Sequence, residues 1–382
     1  MVMVDKLFFE LLRVSLGTQK SLTIAPTDNE WAELFEMALK QSLAGVMLGG
    51  LEKILESHAV AKPAILLEWI GEQQYIESQN NLQNKRAKEL YEVFKEGGFK
   101  SCVLKGQGTA TYYDRPELRQ CGDIDLWVEG ERDEIVKYVQ SKGVHVESVD
   151  IKDSAMYFFN DVMVEVHYRP NCMYNPWTDK RLQSFFKDQS ERQFSAYDDK
   201  LGFPHTTIEF DLVYSLVHIY RHIFSEGIGL RQLVDYFYIL KHSSLEQREQ
   251  AFQTICSFGM KEFAGGIMYI LQEQFGMSKE YTLCGVNKRH GEFLLNEILI
   301  GGNFGQYDTR YRLASKDKKF KRGITMLKRN LHYVALYPSE VLWSPIWKFW
   351  HWCWRKQKGP RASGASTSSS KRALRSSRRA AR

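Results

Sequence analysis

The sequence lacks a long uninterrupted apolar run and lacks closely spaced cysteines. The longest apolar stretch, residues 210–224, is broken by His218, Arg221 and His222, so no segment resembles a membrane span. The six cysteines are scattered without a C-x-x-C pair, which argues against a structural zinc site and a disulfide framework and favours a reducing, cytoplasmic compartment. The first 17 residues have no basic n-region and no small-residue cleavage site, so we expect a short amphipathic helix there and not a signal peptide.

The chain also lacks a distributed positive charge. Its formal net charge is +6, but residues 361–382 alone carry seven Lys or Arg and no acidic residue. The remaining residues carry 45 Lys or Arg against 46 Asp or Glu, so they provide no basic track and make a nucleic-acid partner unlikely. The tail is of low complexity, so we expect it to be disordered and open to weak binding of anionic surfaces.

A hydrophobic content of 43% in 382 residues is enough for a substantial core in two or three domains. Apolar residues at three- and four-residue spacing predict helices up to residue 98 and again from residue 206. Strand and helix patterns alternate between them, which predicts a small α/β unit with a mixed sheet. The expected fold class is α+β, organised as follows: an N-terminal helical region (1–98), a core (99–170), an irregular connector (171–205), a helical domain (206–302), a basic and Trp-rich segment (303–358) and the tail (359–382).

Two carboxylates interrupt an apolar run in "GDIDLWV". Residues two apart on a strand share one face, so Asp123 and Asp125 point the same way while Ile124 and Leu126 face the core. Two carboxylates this close repel each other, and a divalent cation such as Mg²⁺ removes that repulsion. The alternative is a strand-edge pair that faces solvent.

A third carboxylate lies in "VMVEVHYRP", the second half of a predicted hairpin with Asn160-Asp161 at its turn. Valines alternate along this strand, which places Glu165 and His167 together on the opposite face. If the strand lies beside "DIDLWV", Glu165 joins the two aspartates as a metal ligand or base. A cross-strand salt bridge is the alternative for Glu165, and His167 supplies either a supporting hydrogen bond or catalysis.

A glycine-containing turn follows the strand "SCVL". Backbone N–H groups at the turn of Gly106 and Gly108 would attract phosphate oxygens. Lys105, Thr109 and Arg119 are the nearest side chains that can add charge or hydrogen bonds. This turn is therefore the predicted nucleotide-binding element.

These motifs together, "LKG", "YYDRPELRQCGDIDLWV" and "VEVHYRP", resemble the nucleotidyltransferase superfamily that includes DNA polymerase beta and the aminoglycoside nucleotidyltransferases. More closely, they are similar to an uncharacterised bacterial nucleotidyltransferase family, over roughly residues 99–245. The resemblance implies the fold, Mg²⁺ dependence and nucleotide use, and on it Asp123, Asp125 and Glu165 match the acidic metal ligands. The superfamily's Gly-Ser dipeptide is absent, so the phosphate contact is left open between Gly106-Gln107 and Gly108-Thr109.

The expected activity is transfer of an NMP group from an NTP to a hydroxyl of an unidentified small molecule, sugar or protein, with two Mg²⁺ ions and release of pyrophosphate. Two alternatives are a catalytically silent nucleotide-binding or scaffold protein, and a toxin- or antitoxin-type nucleotidyltransferase that acts on protein or tRNA. Loss of one carboxylate would favour the silent protein, but all three are present here.

The resemblance implies that the second helical region borders the active site, which makes three of its polar residues candidates for an acceptor pocket, together with His167. His218 and His222 lie at i, i+4, a spacing that can bind zinc, but packing or a phosphate contact alongside Arg221 is the favoured interpretation. Arg231 and Asp235 have the same spacing and are predicted to form an ion pair on the helix face.

Five tryptophans lie within "LYPSEVLWSPIWKFWHWCWRK". The pattern is open to an interfacial membrane helix, a helix in a partner's groove, or packing on the helical domain. Packing is the favoured interpretation, with Pro338 and Pro345 breaking the segment into short pieces.

Overall fold

The computed structural model describes residues 3–57, 62–147, 149–310 and 328–358. The predicted disordered tail and the predicted basic connector at 312–323 lie outside the described residues. The chain divides into two compact units. The first contains the residues up to Asn80, Thr109–Gln120 and Ile208–Leu342, and the second contains Asn81–Gly108, Cys121–Thr207 and the residues from Trp343 on.

The predicted α+β class is confirmed, because the described residues form many helices and one five-stranded mixed sheet. In chain order the elements are α1 (Met3–Leu16), α2 (Asp28–Lys40), α3 (Ala44–Glu56), α4 (Leu66–Glu96), β1 (Ser101–Leu104), α5 (Gly106–Ala110), β2 (Ile124–Val128), α6 (Arg132–Ser141), β3 (His145–Val146), β4 (Asp153–Tyr157), β5 (Val164–His167), α7 (Pro176–Phe194), β6 (Tyr197–Asp198), β7 (Phe203–Pro204), α8 (Ile208–Ser225), α9 (Leu230–His242), α10 (Leu245–Ser257), α11 (Lys261–Glu273), α12 (Lys288–Gly301), α13 (328–334) and α14 (Pro338–Lys358). Short 3₁₀ turns occupy Pro116–Leu118, Lys279–Tyr281 and Asn303–Gly305.

Two helices of the first unit, α2 and α10, begin at capping boxes. Thr27 precedes α2 and exchanges hydrogen bonds with Glu30, and Ser244 does the same with Gln247 at the start of α10. Such capping boxes satisfy backbone N–H groups that the first helical turn leaves unpaired. The core of this unit is built largely from α8, α9 and α11, whose side chains are mostly buried.

The sheet of the second unit has the order β1-β2-β5-β4-β3. β1 and β2 are antiparallel, β2 and β5 are parallel, and β5, β4 and β3 continue antiparallel. The predicted hairpin of residues 154–170 is therefore present as β4 and β5. The parallel register pairs Asp125 with Glu165, which places two carboxylates side by side in the middle of the sheet.

The two faces of this sheet have different chemistry. One face carries Ile124, Leu126, Val164 and Val166, which form a buried core with apolar residues of α4 and α6. Because side chains alternate along a strand, the opposite face carries Asp125, Glu165 and His167. The predicted separation of apolar and charged residues on β2 and β5 is confirmed.

The region predicted as an irregular connector contains a 19-residue helix, α7. Its start is encoded by Asn175, whose side chain accepts backbone hydrogen bonds from Trp177 and Thr178, and by Pro176 at the first helical position. A proline there needs no N–H partner and has a helix-compatible φ, so Pro176 begins the helix and does not interrupt it.

The prolines of the Trp-rich segment do not break it. α14 is one helix of 21 residues with Pro338 at its first position and Pro345 inside. Pro345 removes a single backbone hydrogen bond, and the rest of the helix remains intact. Across the described parts of the chain, no helix is both long enough and apolar enough to cross a bilayer.

Candidate active site

Asp125 is the centre of a polar cluster on the face of the sheet opposite the apolar core. It lies in the middle of β2, and the strands on either side pair it with Leu104 and Glu165. Although Asp125 is only 3% exposed, it is not isolated: Lys105 Nζ lies 2.9 Å from Oδ2, and His167 Nε2 lies 2.9 Å from Oδ1. A buried carboxylate is tolerated here because both of its oxygens have a polar partner.

Asp125, Glu165 and His167 form what we term the carboxylate–histidine cluster. Each offers one ligand atom, and these atoms all lie within 4.8 Å of one another. Among the described residues, this is the group of at least three His, Cys, Asp or Glu side chains with the spacing of a metal site. Glu165 has the most open side chain of the three, at 37% exposure, against 3% for Asp125 and 2% for His167.

The charges of the cluster are strongly linked. Burial acts to raise the pKa of Asp125, but the charge of Lys105 and the hydrogen bond from His167 outweigh it and hold that pKa well below its usual range. Burial lowers the pKa of Lys105, and the nearby charges of Asp125, Asp123 and Glu165 raise it overall. Asp125 and Lys105 therefore form a charged pair at neutral pH.

Glu165 has the opposite behaviour. Burial raises its pKa to about 7, and the negative charges of Asp123 and Asp125 act in the same direction. A carboxyl group with this pKa exchanges its proton near neutrality, which suits either a cation ligand or a proton acceptor. The effect of Asp123 on Glu165 also places that first aspartate near the cluster.

Asp123 lies directly before β2, which begins at Ile124. The sequence predicts a metal site formed by Asp123, Asp125 and Glu165. In the structure, the third residue whose ligand atom lies close to those of Asp125 and Glu165 is His167. The direct role of Asp123 as a metal ligand stays a prediction. For His167 the sequence predicts a supporting hydrogen bond, catalysis or a place in the acceptor pocket, but not a metal-ligand role. Its position two residues after Glu165 on the same face is the signal that could have indicated that role.

Two further charged residues of β4 and the turn before it were missed by sequence reasoning. Asp153 is paired with His167 in the strand register, and its Oδ2 lies 4.0 Å from His167 Nδ1. Lys152 Nζ lies 2.7 Å from the same carboxylate oxygen. Burial acts to raise the pKa of Asp153, but the charges of Lys152 and His167 outweigh it and lower that pKa overall. Asp153 is thus a charged neighbour of the His167 ring at Nδ1, whereas Asp125 lies at Nε2.

The glycine turn lies at the end of β1, next to Asp125. Lys105 and Gly106 both have positive φ angles, 47° and 55°, and a Cβ added at Gly106 would meet no atom within 4 Å. At Gly108 a Cβ would come within 2.8 Å of the His205 side chain, so glycine is required there by packing. Of the two glycines predicted to contact phosphate, Gly106 therefore has the more open backbone.

Two other residues predicted to bind nucleotide are buried in the first unit. Thr109 is 1% exposed. Arg119 is 4% exposed, and its Nε and Nη2 donate to Asp235 at 2.7 Å and 2.9 Å. This bidentate ion pair engages two guanidinium nitrogens of Arg119, and its role as a phosphate ligand stays a prediction. Arg231, which is predicted to pair with Asp235, donates to the Gln120 carbonyl oxygen at 2.7 Å, and its pairing with Asp235 stays a prediction.

The predicted acceptor-pocket residues of α8 also belong to the first unit. Arg221 is buried, and its Nη1 lies 3.3 Å from Glu340 Oε2. The rings of His218 and His222 have centroids 4.3 Å apart, and His222 Nδ1 lies 3.8 Å from Glu226 Oε2. These contacts fit the packing interpretation, and the role of the three residues in an acceptor pocket stays a prediction.

Comparison with known proteins assigns the chain to a family. None of the curated proteins compared with this chain matches it. A family model described as "uncharacterised nucleotidyltransferase" matches residues 27–276, about two thirds of the chain, and these residues include the sheet, the glycine turn and the carboxylate–histidine cluster. The chain therefore belongs to this uncharacterised nucleotidyltransferase family and is a transferase of phosphorus-containing groups.

Proposed function

We propose that this protein transfers an NMP group from an NTP to a hydroxyl of its acceptor and uses a divalent cation held by Asp125, Glu165 and His167. The observation that supports the proposal is the convergence of these three side chains on two adjacent strands, with ligand atoms within 4.8 Å. A cation would compensate the repulsion between the carboxylates.

The donor set fits a hard divalent cation. Carboxylate oxygens suit Mg²⁺ and Mn²⁺, and the imidazole nitrogen extends the range toward Mn²⁺ and other transition metals. When bound, the cation would neutralise phosphate charge and make the α-phosphorus more electrophilic. The two Mg²⁺ ions expected from the sequence remain part of the proposal, with Asp123 as the further carboxylate for a second ion.

His167 would need a particular tautomer in this role. With Asp125 ionised, its Nε2–H donates to Asp125 Oδ1 at 2.9 Å. For Nε2 to ligate a cation, the imidazole must carry its proton on Nδ1 instead, and Asp153 Oδ2 lies 4.0 Å from that atom. A carboxylate behind a ligating histidine orients the ring and favours that tautomer. Asp153 is thus proposed to position His167.

Lys105 would move between two anionic partners. In the structure its Nζ is held by Asp125 Oδ2, and its side chain is 22% exposed. An NTP placed over the open backbone at Gly106 would offer phosphate oxygens as alternative partners for the ammonium group. Lys105 and Gly106 both have left-handed backbone conformations, and the open space beside Gly106 supports such an exchange.

The chemistry would proceed by displacement at the α-phosphorus. The acceptor oxygen forms a bond to phosphorus, the bond to the pyrophosphate oxygen breaks, and the hydroxyl proton passes to the Glu165 carboxylate. A proton acceptor is most effective when its pKa is near the working pH. Outside the basic tail the net charge of the chain is close to zero. A small molecule, sugar or protein is therefore favoured as the acceptor over a long nucleic acid, which needs a basic track.

The proposal predicts cation-dependent turnover of an NTP. Incubation with each α-³²P-labelled NTP and a cell extract as the acceptor source should transfer label in the presence of Mg²⁺ or Mn²⁺. Transfer should stop when EDTA is added and return with excess cation. Label from a γ-³²P-labelled NTP should leave as pyrophosphate, because NMP transfer retains only the α-phosphate. Transfer of the γ-label to the acceptor, or transfer that is insensitive to EDTA, would contradict this function.

Cation affinity should also depend on pH in a defined direction. Because the pKa of Glu165 is raised to about 7, protons compete with the cation below that pH. We expect the Mn²⁺ dissociation constant to rise about twofold as pH falls from 8 to 7 and about fivefold as pH falls from 7 to 6, since one bound proton must leave for each cation. Titration calorimetry at several pH values measures this change.

The matched controls for the pH experiment are two glutamine substitutions. Glu165→Gln should weaken Mn²⁺ binding at pH 8 and reduce the pH dependence. Glu191→Gln, at an exposed α7 residue that pairs with Lys100, should leave both unchanged. An affinity in the native protein that does not vary between pH 6 and 8 would argue against Glu165 as a ligand.

A further inference from the structure

The part of α14 that follows Leu342 has one side that packs on the second unit. The rings of Trp347 and Tyr174 have centroids 5.2 Å apart, and His351 Nε2 lies 2.5 Å from Asp150 Oδ1. The guanidinium group of Arg132 lies 4.9 Å from the Trp354 ring centroid. These contacts fix the rotation of the helix about its axis and therefore determine which side chains point away from the unit.

The opposite side of this helix is apolar and exposed. Ile346 is 55% exposed, Phe349 67%, Trp350 51% and Trp352 51%. The first three follow i, i+3, i+4 spacing, so they form one stripe, and Trp352 borders it. Single exposed apolar residues are common on protein surfaces, but a contiguous aromatic stripe of this kind marks an interaction surface.

Positive charge accompanies the stripe. Arg355 and Lys356 are exposed, and Lys356 Nζ lies 3.7 Å from the Trp352 ring centroid. The sequence from Trp343 to Lys358 contains no Asp or Glu. The sequence that follows continues this pattern, with seven Lys or Arg and no acidic residue in 361–382. The partner of this surface should therefore be apolar at the stripe and anionic beside it.

We propose that α14 binds the surface of an anionic phospholipid bilayer and lies parallel to it. Trp is favoured at the boundary between headgroups and acyl chains because its ring is apolar and its N–H is polar. Arg and Lys beside the aromatic stripe would interact with lipid phosphates, as in other interfacial amphipathic helices. Symmetric pairing with a second copy is disfavoured because it brings together two helices that carry only positive charge in this part.

Vesicle binding of the full-length protein tests the proposal. We expect cosedimentation with vesicles of 70% phosphatidylcholine and 30% phosphatidylglycerol, and affinity for pure phosphatidylcholine vesicles at least about tenfold lower. Binding to the anionic vesicles should weaken as salt is raised from 0.1 to 0.5 M, because screening reduces the electrostatic contribution. Equal binding to both vesicle types, or to neither, would overturn the proposal.

Two matched double variants test whether vesicle binding depends on the aromatic stripe, or instead on any exposed apolar residues or on charge alone. Phe349→Ser with Trp350→Ser should lower the affinity for anionic vesicles by at least about tenfold, since it removes two exposed aromatic rings. Leu245→Ser with Val286→Ser changes two residues of similar exposure in the first unit, 62% and 48%, and should leave binding unchanged. Both variants should keep the native circular dichroism spectrum and melting temperature because all four residues are exposed.

Two other outcomes would overturn the assignment to α14. If the Phe349 and Trp350 variant binds anionic vesicles as tightly as the native protein, the stripe is not the membrane contact. If light scattering finds a dimer of the native protein without lipid, and the same variant is a monomer, the stripe is an interface between two copies.

Discussion

Asp125→Asn is expected to reduce kcat/KM for NMP transfer by about 10³-fold. The neutral amide keeps the size of the carboxylate but loses the charge that would hold a cation, and removal of one well-placed electrostatic group in an active site costs about 10²–10³ in rate. Asp125 also holds both Lys105 and His167 at 2.9 Å. The substitution therefore affects the cation ligand, the lysine and the histidine at once.

The control for this experiment is Asp188→Asn, which removes the same charge from an exposed position on α7 in the same unit. It should retain activity within about twofold, because a distant exposed charge contributes little. The Asp125 variant should also lose measurable Mn²⁺ binding while keeping its circular dichroism spectrum. Full activity and full cation affinity in this folded variant would remove Asp125, and the cluster built on it, from the proposed mechanism.

Much of this site could be predicted from sequence because the signals are local. Alternation along β2 and β5 identifies Asp125 and Glu165 as charges placed inside apolar strands, and the order of strand, turn and helix identifies the mixed sheet. What alternation cannot supply is the register between two strands some 40 residues apart. That register pairs Asp125 with Glu165 and brings His167 within 2.9 Å of the aspartate. A shift by one residue would have turned the whole set to the other face.

Other features of the structure depend on signals that composition and spacing do not identify. The prediction of an irregular connector over residues 171–205 is wrong at Asn175-Pro176, because this pair is a helix-starting signal. The prediction that Arg119 contacts phosphate rests on its closeness in sequence to the glycine turn and the aspartates. Its actual carboxylate partner is 116 residues away, and neither composition nor spacing identifies a pairing at that distance.

That pairing leads to the second large effect. Asp235→Ala is expected to lower the free energy of unfolding by about 3–5 kcal/mol, because it leaves the nearly buried Arg119 guanidinium without its counterion. The substitution also removes the acceptor for the Tyr113 hydroxyl, which donates to Asp235 Oδ1 at 2.5 Å. Chemical denaturation monitored by circular dichroism measures the loss, and Glu292→Gln serves as the control. Glu292 is in an exposed i, i+4 pair with Lys288, so its loss should cost less than about 1 kcal/mol.

The contribution of Asp235 should depend on pH. Burial acts to raise the pKa of Asp235, but the charge and hydrogen bonds of Arg119 outweigh it and lower that pKa in the folded protein. The folded state therefore binds fewer protons at this site than the unfolded state, whose carboxyl has a pKa of about 3.9. The difference between native protein and variant should be complete above pH 5 and should shrink as pH falls below about 4 and through the folded pKa. If the difference at pH 7 is no larger than that of Glu292→Gln, the ion pair does not stabilise the first unit, and Arg119 becomes available again as a nucleotide ligand.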